Sequence, residues 1–214
     1  MGRVRIKKEA KDYLQNSIYF LNTKDKYQDF TKKSNKIWLE IGHGKGKFIS
    51  KLALNNLDAK LIGIEKIATI QEKAVKKVEK LELTNVRFIL ADINNLKNWF
   101  TDSSIEKIFI NFPDPWPKKK HYKRRLLTKE LLLYYYQILE EEGRIFIKTD
   151  QRELFDYVLI NLKTKELKQK FFISEKTVDL HQLTDEKIIK TEYEEKFLDL
   201  EKPIYYLEIS KNKL

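Results

Sequence analysis

The chain has 214 residues, 42% of them hydrophobic, a formal net charge of +11 and no cysteine. At roughly 100–200 residues per domain, one principal folded unit with a sizeable core is expected, and the cationic excess favours a polyanionic partner. Lack of cysteine excludes disulfides, a thiolate nucleophile and a cysteine-ligated zinc site.

His43, His121 and His181 are too scattered to suggest a metal cluster. Mean hydropathy is −0.57, and no apolar run approaches the roughly 18 residues of a membrane span. The basic N-terminus lacks the apolar core of a signal peptide. A soluble, cytoplasmic protein is expected, with no membrane partner and no metal, either monomeric or homodimeric.

Residues 1–35 are mixed and basic, with weak helical periodicity from Ala10 to Leu21, and read as an arm or short helix. A second region, 36–214, alternates strand and helix patterns. Ile37–Ile41 reads as a strand, Gly42-His43-Gly44-Lys45-Gly46 as a turn and Lys47–Leu54 as a helix. Leu61–Ile64 is a second strand, ending at Glu65. Thr69–Leu83 is a helix by its spacing of Ile70, Ala74, Val75 and Val78. Val86–Ala91 is a third strand, closed by Asp92, and Asn94–Phe100 a short helix.

Ile108–Ile110 is the fourth strand. Thr128 reads as the N-cap of a helix through Leu139, and Gly143 as the end of that segment. Arg144–Thr149 is a fifth strand followed by Asp150. Gln151 to Leu167 reads as one helix, and Phe171–Glu175 and Ile204–Ser210 as two further strands. Strand–helix–strand order implies parallel strands with helices on both faces. The last two strands lack a clear helix between them and should pair antiparallel at one edge.

Ligands of an open α/β sheet bind beyond the carboxyl ends of its strands. The residues expected there are Gly42, Gly44 and Gly46, then Glu65, Asp92, Asp114 and Asp150. A single acid at a strand end is more often a turn former; the same placement after consecutive strands is a stronger signal. The glycine spacing is G-x-G-x-G, not the G-x-G-x-x-G of a dinucleotide loop, and Glu40 precedes it. An acid there repels phosphate and attracts a sulfonium or ammonium group. The pattern suits S-adenosylmethionine, with Glu65 on the ribose hydroxyls and Asp92 on the adenine amino group.

The stretch Lys107–Arg125, KIFINFPDPWPKKKHYKRR, joins a strand to a stiff loop and a cationic run. Pro113, Pro115 and Pro117 each fix φ and bias the preceding residue away from helix. Asp114 lies between two prolines, with Trp116 beside it. Six of the eight residues from Lys118 to Arg125 are cations.

These features together resemble the bacterial tRNA (guanine-N7)-methyltransferases. The resemblance rests on Glu40-Ile41-Gly42-His43-Gly44-Lys45-Gly46-Lys47-Phe48, Gly63-Ile64-Glu65, Ala91-Asp92, Phe112 to Lys119 with His121 and Lys123-Arg124-Arg125-Leu126, Lys148-Thr149-Asp150, and Thr191-Glu192-Tyr193-Glu194. It departs at His43, where a small residue is expected, and at Lys120, where arginine is frequent.

The resemblance implies a Rossmann-like class I methyltransferase fold, with a mostly parallel seven-stranded sheet and an antiparallel edge strand. It implies methyl transfer from S-adenosylmethionine, leaving S-adenosylhomocysteine, to N7 of the guanine numbered 46 by tRNA convention. Glu40, Glu65, Asp92 and Asp114 would line the cofactor site. Lys118, Asp150, Thr191, Glu192, Tyr193 and Glu194 would contact substrate, and Lys120, His121, Tyr122, Lys123, Arg124 and Arg125 would lie along the RNA.

The chemistry fits. Guanine N7 carries an in-plane lone pair and no proton, so no base is needed to create the nucleophile, whereas cytosine-C5 methylation typically uses a cysteine. Asp114 could stabilise charge developing on the purine or hold the guanine through N1–H and the amino group; positioning is the favoured role. Trp116 or Tyr122 could stack on a base. Other readings are a methyltransferase for another RNA nucleotide and a non-catalytic RNA-binding module. The order Asn111-Phe112-Pro113-Asp114 does not fit the Asp/Asn-Pro-Pro-aromatic pattern of amino-group methyltransferases.

Overall fold

The apolar runs form the expected strands. The protein's structure is a computed structural model that describes residues 8–180, 189–191, 193–194 and 202–212. It contains a seven-stranded mixed sheet, mostly parallel, whose antiparallel pairings lie at one edge. The chain divides into two compact units, 1–99 and 100–214.

In the first unit, β1 (Ile37–Ile41), β2 (Lys60–Glu65) and β3 (Val86–Leu90) pair in parallel in the order β3-β2-β1. Every residue of β1 is buried, Glu40 included. That is why β1 reads as a near-continuous apolar run without alternation. The helices α3 (Lys47–Asn55) and α4 (Ala68–Lys80) follow β1 and β2.

The N-terminal segment is more structured than an arm. It holds α1 (Lys8–Asn16) and α2 (Lys24–Thr31), the latter capped by Thr23, whose side chain accepts from the Lys26 N–H. Tyr13 and Ser17 both donate to the Glu79 carboxylate on α4. Leu21 N–H donates to Phe88 O, and Phe88 N–H to Tyr19 O, both at 2.8 Å. Residues 19–21 thus bond to the β3 backbone and cover strand edge that would otherwise invite pairing.

In the second unit, β4 (Ile105–Asn111) and β5 (Leu139–Thr149) are parallel, while β7 (Tyr205–Lys211) runs antiparallel to both β5 and β6 (Phe171–Thr177). The helix α5 (Lys129–Ile138) starts where Thr128 Oγ1 accepts the Leu131 N–H at 3.2 Å, as the sequence predicts.

Three boundaries differ from expectation. Gly143 does not end a segment; it is buried inside β5, where the register to β4 jumps from Ile105↔Leu139 to Lys107↔Arg144. The bulge absorbs the glycine. The helix expected over Asn94–Phe100 is a single 3-10 turn, Ile93–Asn95, followed by another i→i+3 bond from Trp99 to Leu96. So short a stretch does not repay helix nucleation. The single helix from Gln151 to Leu167 is two, α6 (Arg152–Leu162) and α7 (Lys165–Lys170), broken where Thr164 turns extended and donates to Asn161 O.

Candidate functional site

In the first unit the turn between β1 and α3 is held by the glycines. Gly42, Gly44 and Gly46 have φ of +80°, +57° and +77°, in the left-handed region that side chains disfavour. Two of them serve different ends. A Cβ at Gly46 would lie 2.6 Å from that of Ala74, so Gly46 lets α3 start against α4. A Cβ at Gly44 would meet nothing within 4 Å: the loop presents open backbone there.

Glu40 is buried on β1, just before this loop. Glu65 ends β2 and is 9% exposed. Its Oε1 accepts the N–H groups of Lys66 and Ile67 at 2.9 and 3.1 Å, which leaves acceptor capacity on the carboxylate for a ligand hydroxyl. Burial raises its pKa, and the backbone donors partly offset this. Asp92 caps the 3-10 turn after β3, its Oδ1 accepting from the Asn94 backbone and amide at 2.9 and 2.8 Å.

A buried polar group lies under the same loop, unforeseen from the sequence. His43 is 5% exposed, its ring 4.8 Å from that of Phe88. Neither ring nitrogen makes a well-formed hydrogen bond, but the fully buried Gln71 side chain on α4 and the Gly44 backbone lie close enough to interact with the ring. Desolvation lowers the His43 pKa to about 4, so the imidazole is neutral at physiological pH. An approach of a glycine loop to a helix three elements on leaves no periodic trace, so nothing in the sequence marks His43 and Gln71 as neighbours.

In the second unit the loop after β4 begins with Phe112 at φ +48°, its N–H donating to Lys148 O at 2.8 Å. Residues 113–117 form no regular structure, as three prolines require, and Asp114 is exposed. Trp116 has φ +41°. Its ring carries the Arg124 guanidinium at 4.8 Å and the edge of His121 at 5.5 Å. The cationic run is a 3-10 helix, Lys119–Arg124, preceded by Lys118.

Within that run the side chains divide. Lys118, Lys120, Lys123 and Arg124 are exposed. The Tyr122 hydroxyl donates to Glu130 at 2.6 Å, and burial raises its pKa, so it is a tethered neutral group. Arg125 donates from Nε and Nη2 to the Trp116 carbonyl, at 3.2 and 3.0 Å, and lies over the Tyr157 ring of α6 at 4.6 Å.

At the end of β5, Asp150 accepts from the Gln151 amide. Tyr193 lies against Phe112, ring centroids 5.0 Å apart, and its pKa is raised by burial and by the charge of Asp150. Thr191 and Glu194 are buried in a reciprocal capping box. The Thr191 N–H donates to Glu194 Oε2 at 2.6 Å, and the Glu194 N–H to Thr191 Oγ1 at 3.1 Å. Glu194 also pairs with buried Lys148 at 2.9 Å, whose Nζ donates to Ile189 O. Tyr193 is thereby the member of Thr191–Glu194 with a partly exposed surface among the described residues; Glu192 lies outside them. The T-x-x-E spacing was a legible cap signal.

No helix among the described residues is long and apolar enough to cross a membrane. Residues 34–207 match a family described as "Putative methyltransferase". The chain is 39% identical over 211 residues to the tRNA (guanine-N(7)-)-methyltransferase of Bacillus licheniformis, covering 96% of this chain and 97% of that protein. It is 42% identical over 213 residues to that of Mycoplasma genitalium, covering 98% and 99%. Among solved structures it is similar to an antibiotic-related methyltransferase, with a TM-score of 0.66 and 20% identity over 89% of this chain and 94% of that one. That likeness shows the fold.

Proposed function

The chain belongs to the bacterial tRNA (guanine-N7)-methyltransferase family, and on that premise we propose that it methylates N7 of a guanine in tRNA, the one numbered 46 in the variable loop, in the cytoplasm. The proposed donor is S-adenosylmethionine, which when bound supplies an electrophilic methyl on a sulfonium and is left as S-adenosylhomocysteine. The first unit's residues fit such a donor. Gly44 offers open backbone, Glu40 sets a negative field near a sulfonium, and Glu65 is held ready to accept from ribose hydroxyls. Asp92 would accept from the adenine amino group with the oxygen not engaged by Asn94.

The second unit would hold the guanine. Asp114, stiffened by Pro113 and Pro115, would accept from N1–H and the amino group and turn the N7 lone pair toward the methyl carbon. With the donor bound, an N7–C bond would form as the C–S bond breaks, its electron pair staying on sulfur and the positive charge passing to the purine. No proton moves, so alignment and fixed charge are the levers. Tyr193, kept as a neutral hydroxyl, and Asp150 would frame the base. Lys118, Lys120, Lys123 and Arg124 would hold phosphates beside an unpaired nucleotide, while Thr191 and Glu194 act through the segment they brace.

The observation carrying this reading is an acidic, phosphate-averse cradle in a chain 39–42% identical, over nearly its whole length, to curated relatives of that activity. Incubating bulk tRNA with methyl-labelled donor and mapping the label tests it. Label as 7-methylguanine in the variable loop is expected; label on another nucleotide, or none, overturns it.

A further inference from the structure

The side chains of the cationic run after the proline loop divide, and one of its arginines is engaged within the protein. Arg125 spends two of its N–H donors on a single acceptor, the Trp116 carbonyl, at 3.2 and 3.0 Å. The central carbon of the same guanidinium lies over the Tyr157 ring, 4.6 Å from its centroid. Its own N–H closes the 3-10 helix by donating to Tyr122 O at 3.0 Å. A side chain so engaged keeps N–H donors on Nη1, but the Nε edge of its fork is turned to the loop and is not open for a two-pronged phosphate contact.

The residue it holds is an unusual one. Trp116 is a bulky side chain at φ +41°, a conformation such residues rarely adopt and keep only when the surroundings enforce it. It also precedes Pro117, which narrows its choices further. Arg124 over the ring and His121 in a T-shaped contact meet its side chain, and Arg125 bonds its backbone carbonyl. Two residues upstream, and separated only by Pro115, is Asp114.

From this geometry we propose that Arg125 is a positioning residue: it pins the Trp116 carbonyl, sets the shape of the 113–117 loop, and so fixes the Asp114 carboxylate for methyl transfer. Its role is in the reaction step and not in phosphate binding, which falls to the exposed Lys123 and Arg124. This rests on the methyltransferase function proposed above for Asp114. It also separates two adjacent arginines that the sequence presents as equivalent. Lysine cannot replace Arg125, because one ammonium does not reproduce a two-donor contact to a carbonyl together with a cation over the Tyr157 ring.

The test compares Arg125→Ala, Arg125→Lys and Lys123→Ala in the full chain. Three quantities are read: the single-turnover methylation rate at saturating tRNA, the dependence of tRNA affinity on salt, and the 15N order parameters of the Asp114 and Trp116 amides without ligands. Both Arg125 variants are expected to lose about tenfold to a hundredfold in rate, with the salt slope unchanged. Their order parameters should fall from about 0.85 towards 0.6. Lys123→Ala is expected to lower the salt slope by about 0.7–1.

A wild-type rate in Arg125→Lys with unchanged order parameters overturns the proposal. So does an Arg125→Ala variant that matches Lys123→Ala in lost salt slope and keeps its rate. If the wild type methylates no guanine in tRNA, the functional reading fails, and the order parameters alone then decide whether Arg125 holds the loop.

Discussion

The two loops that follow β1 and β4 solve opposite problems. The glycine turn is permissive backbone surrounded by burial: its neighbouring acids, Glu40 and Glu65, are nearly withdrawn from solvent. The proline loop is restricted backbone with an exposed acid, Asp114, at its middle. Glycine lets the chain approach a ligand closely, and burial there makes charge potent. Proline, with the Trp116 carbonyl bonded by Arg125 and with Phe112 and Trp116 at positive φ, restricts the backbone on either side of an exposed carboxylate. On the function proposed above, a small adenosyl donor can be enclosed, whereas a nucleotide of a folded RNA has to be met at the surface, and the two backbones would suit those two demands.

That contrast can be tested by damage, in descending order of effect. The largest change is expected from Glu194→Ala. It strips a buried lysine of its carboxylate, with side-chain exposures of 7% for Lys148 and 2% for Glu194. Breaking such a pair from one side costs about 3–5 kcal/mol, read as a lower urea midpoint. A midpoint unchanged from wild type would mean that the segment 189–194 is not braced by this pair.

Asp114→Ala comes next. A loss of about a hundredfold to a thousandfold in single-turnover rate is expected, the scale of removing one preorganised polar group, with tRNA affinity nearly intact. Full activity would remove Asp114 from the reaction.

The buried histidine gives a pH signature of similar size. Its folded pKa of about 4 lies below the ordinary 6.5, so the neutral form stabilises the fold above pH 6.5. That contribution is lost as pH falls from 6.5 to about 4. The shift corresponds to roughly 3 kcal/mol as an upper figure. His43→Phe should flatten urea-derived stability across that window; a variant with the wild-type pH slope would place the acid sensitivity elsewhere.

The smallest effect expected is that of Glu65→Gln. Losing charge-assisted hydrogen bonds to a diol costs about 1.5–3 kcal/mol, or tenfold to a hundredfold in donor affinity, with no change in tRNA binding. In the wild type, donor affinity should weaken as pH falls through the raised pKa of Glu65, since the protonated acid accepts poorly. Affinity unaffected by the substitution would detach Glu65 from the ribose.

What the sequence made legible follows from what leaves a periodic mark. β1 was read to the residue because a strand buried on both faces is a bounded apolar run, and α5 because Thr128 is a cap of recognisable type. The edge pairing of β6 with β7 followed from the missing crossover helix. Features that depend on a single distant contact were not legible. The bulge at Gly143 is a matter of register to β4. The break between α6 and α7 turns on Thr164, a residue compatible with either state. Arg125 looked like one more cation in a basic run, and only its contacts with Trp116 and Tyr157 set it apart. At the site, the burial of Thr191 and Glu194 that accompanies their reciprocal hydrogen bonds was not legible.

The most direct measurement is calorimetric titration of S-adenosylhomocysteine into the wild-type chain and into Glu65→Gln. Saturable binding at one site, weakened at least about tenfold by the substitution, is the expected result. No heat of binding to the wild type, or equal affinity in both, would contradict an acidic cradle for an adenosyl donor.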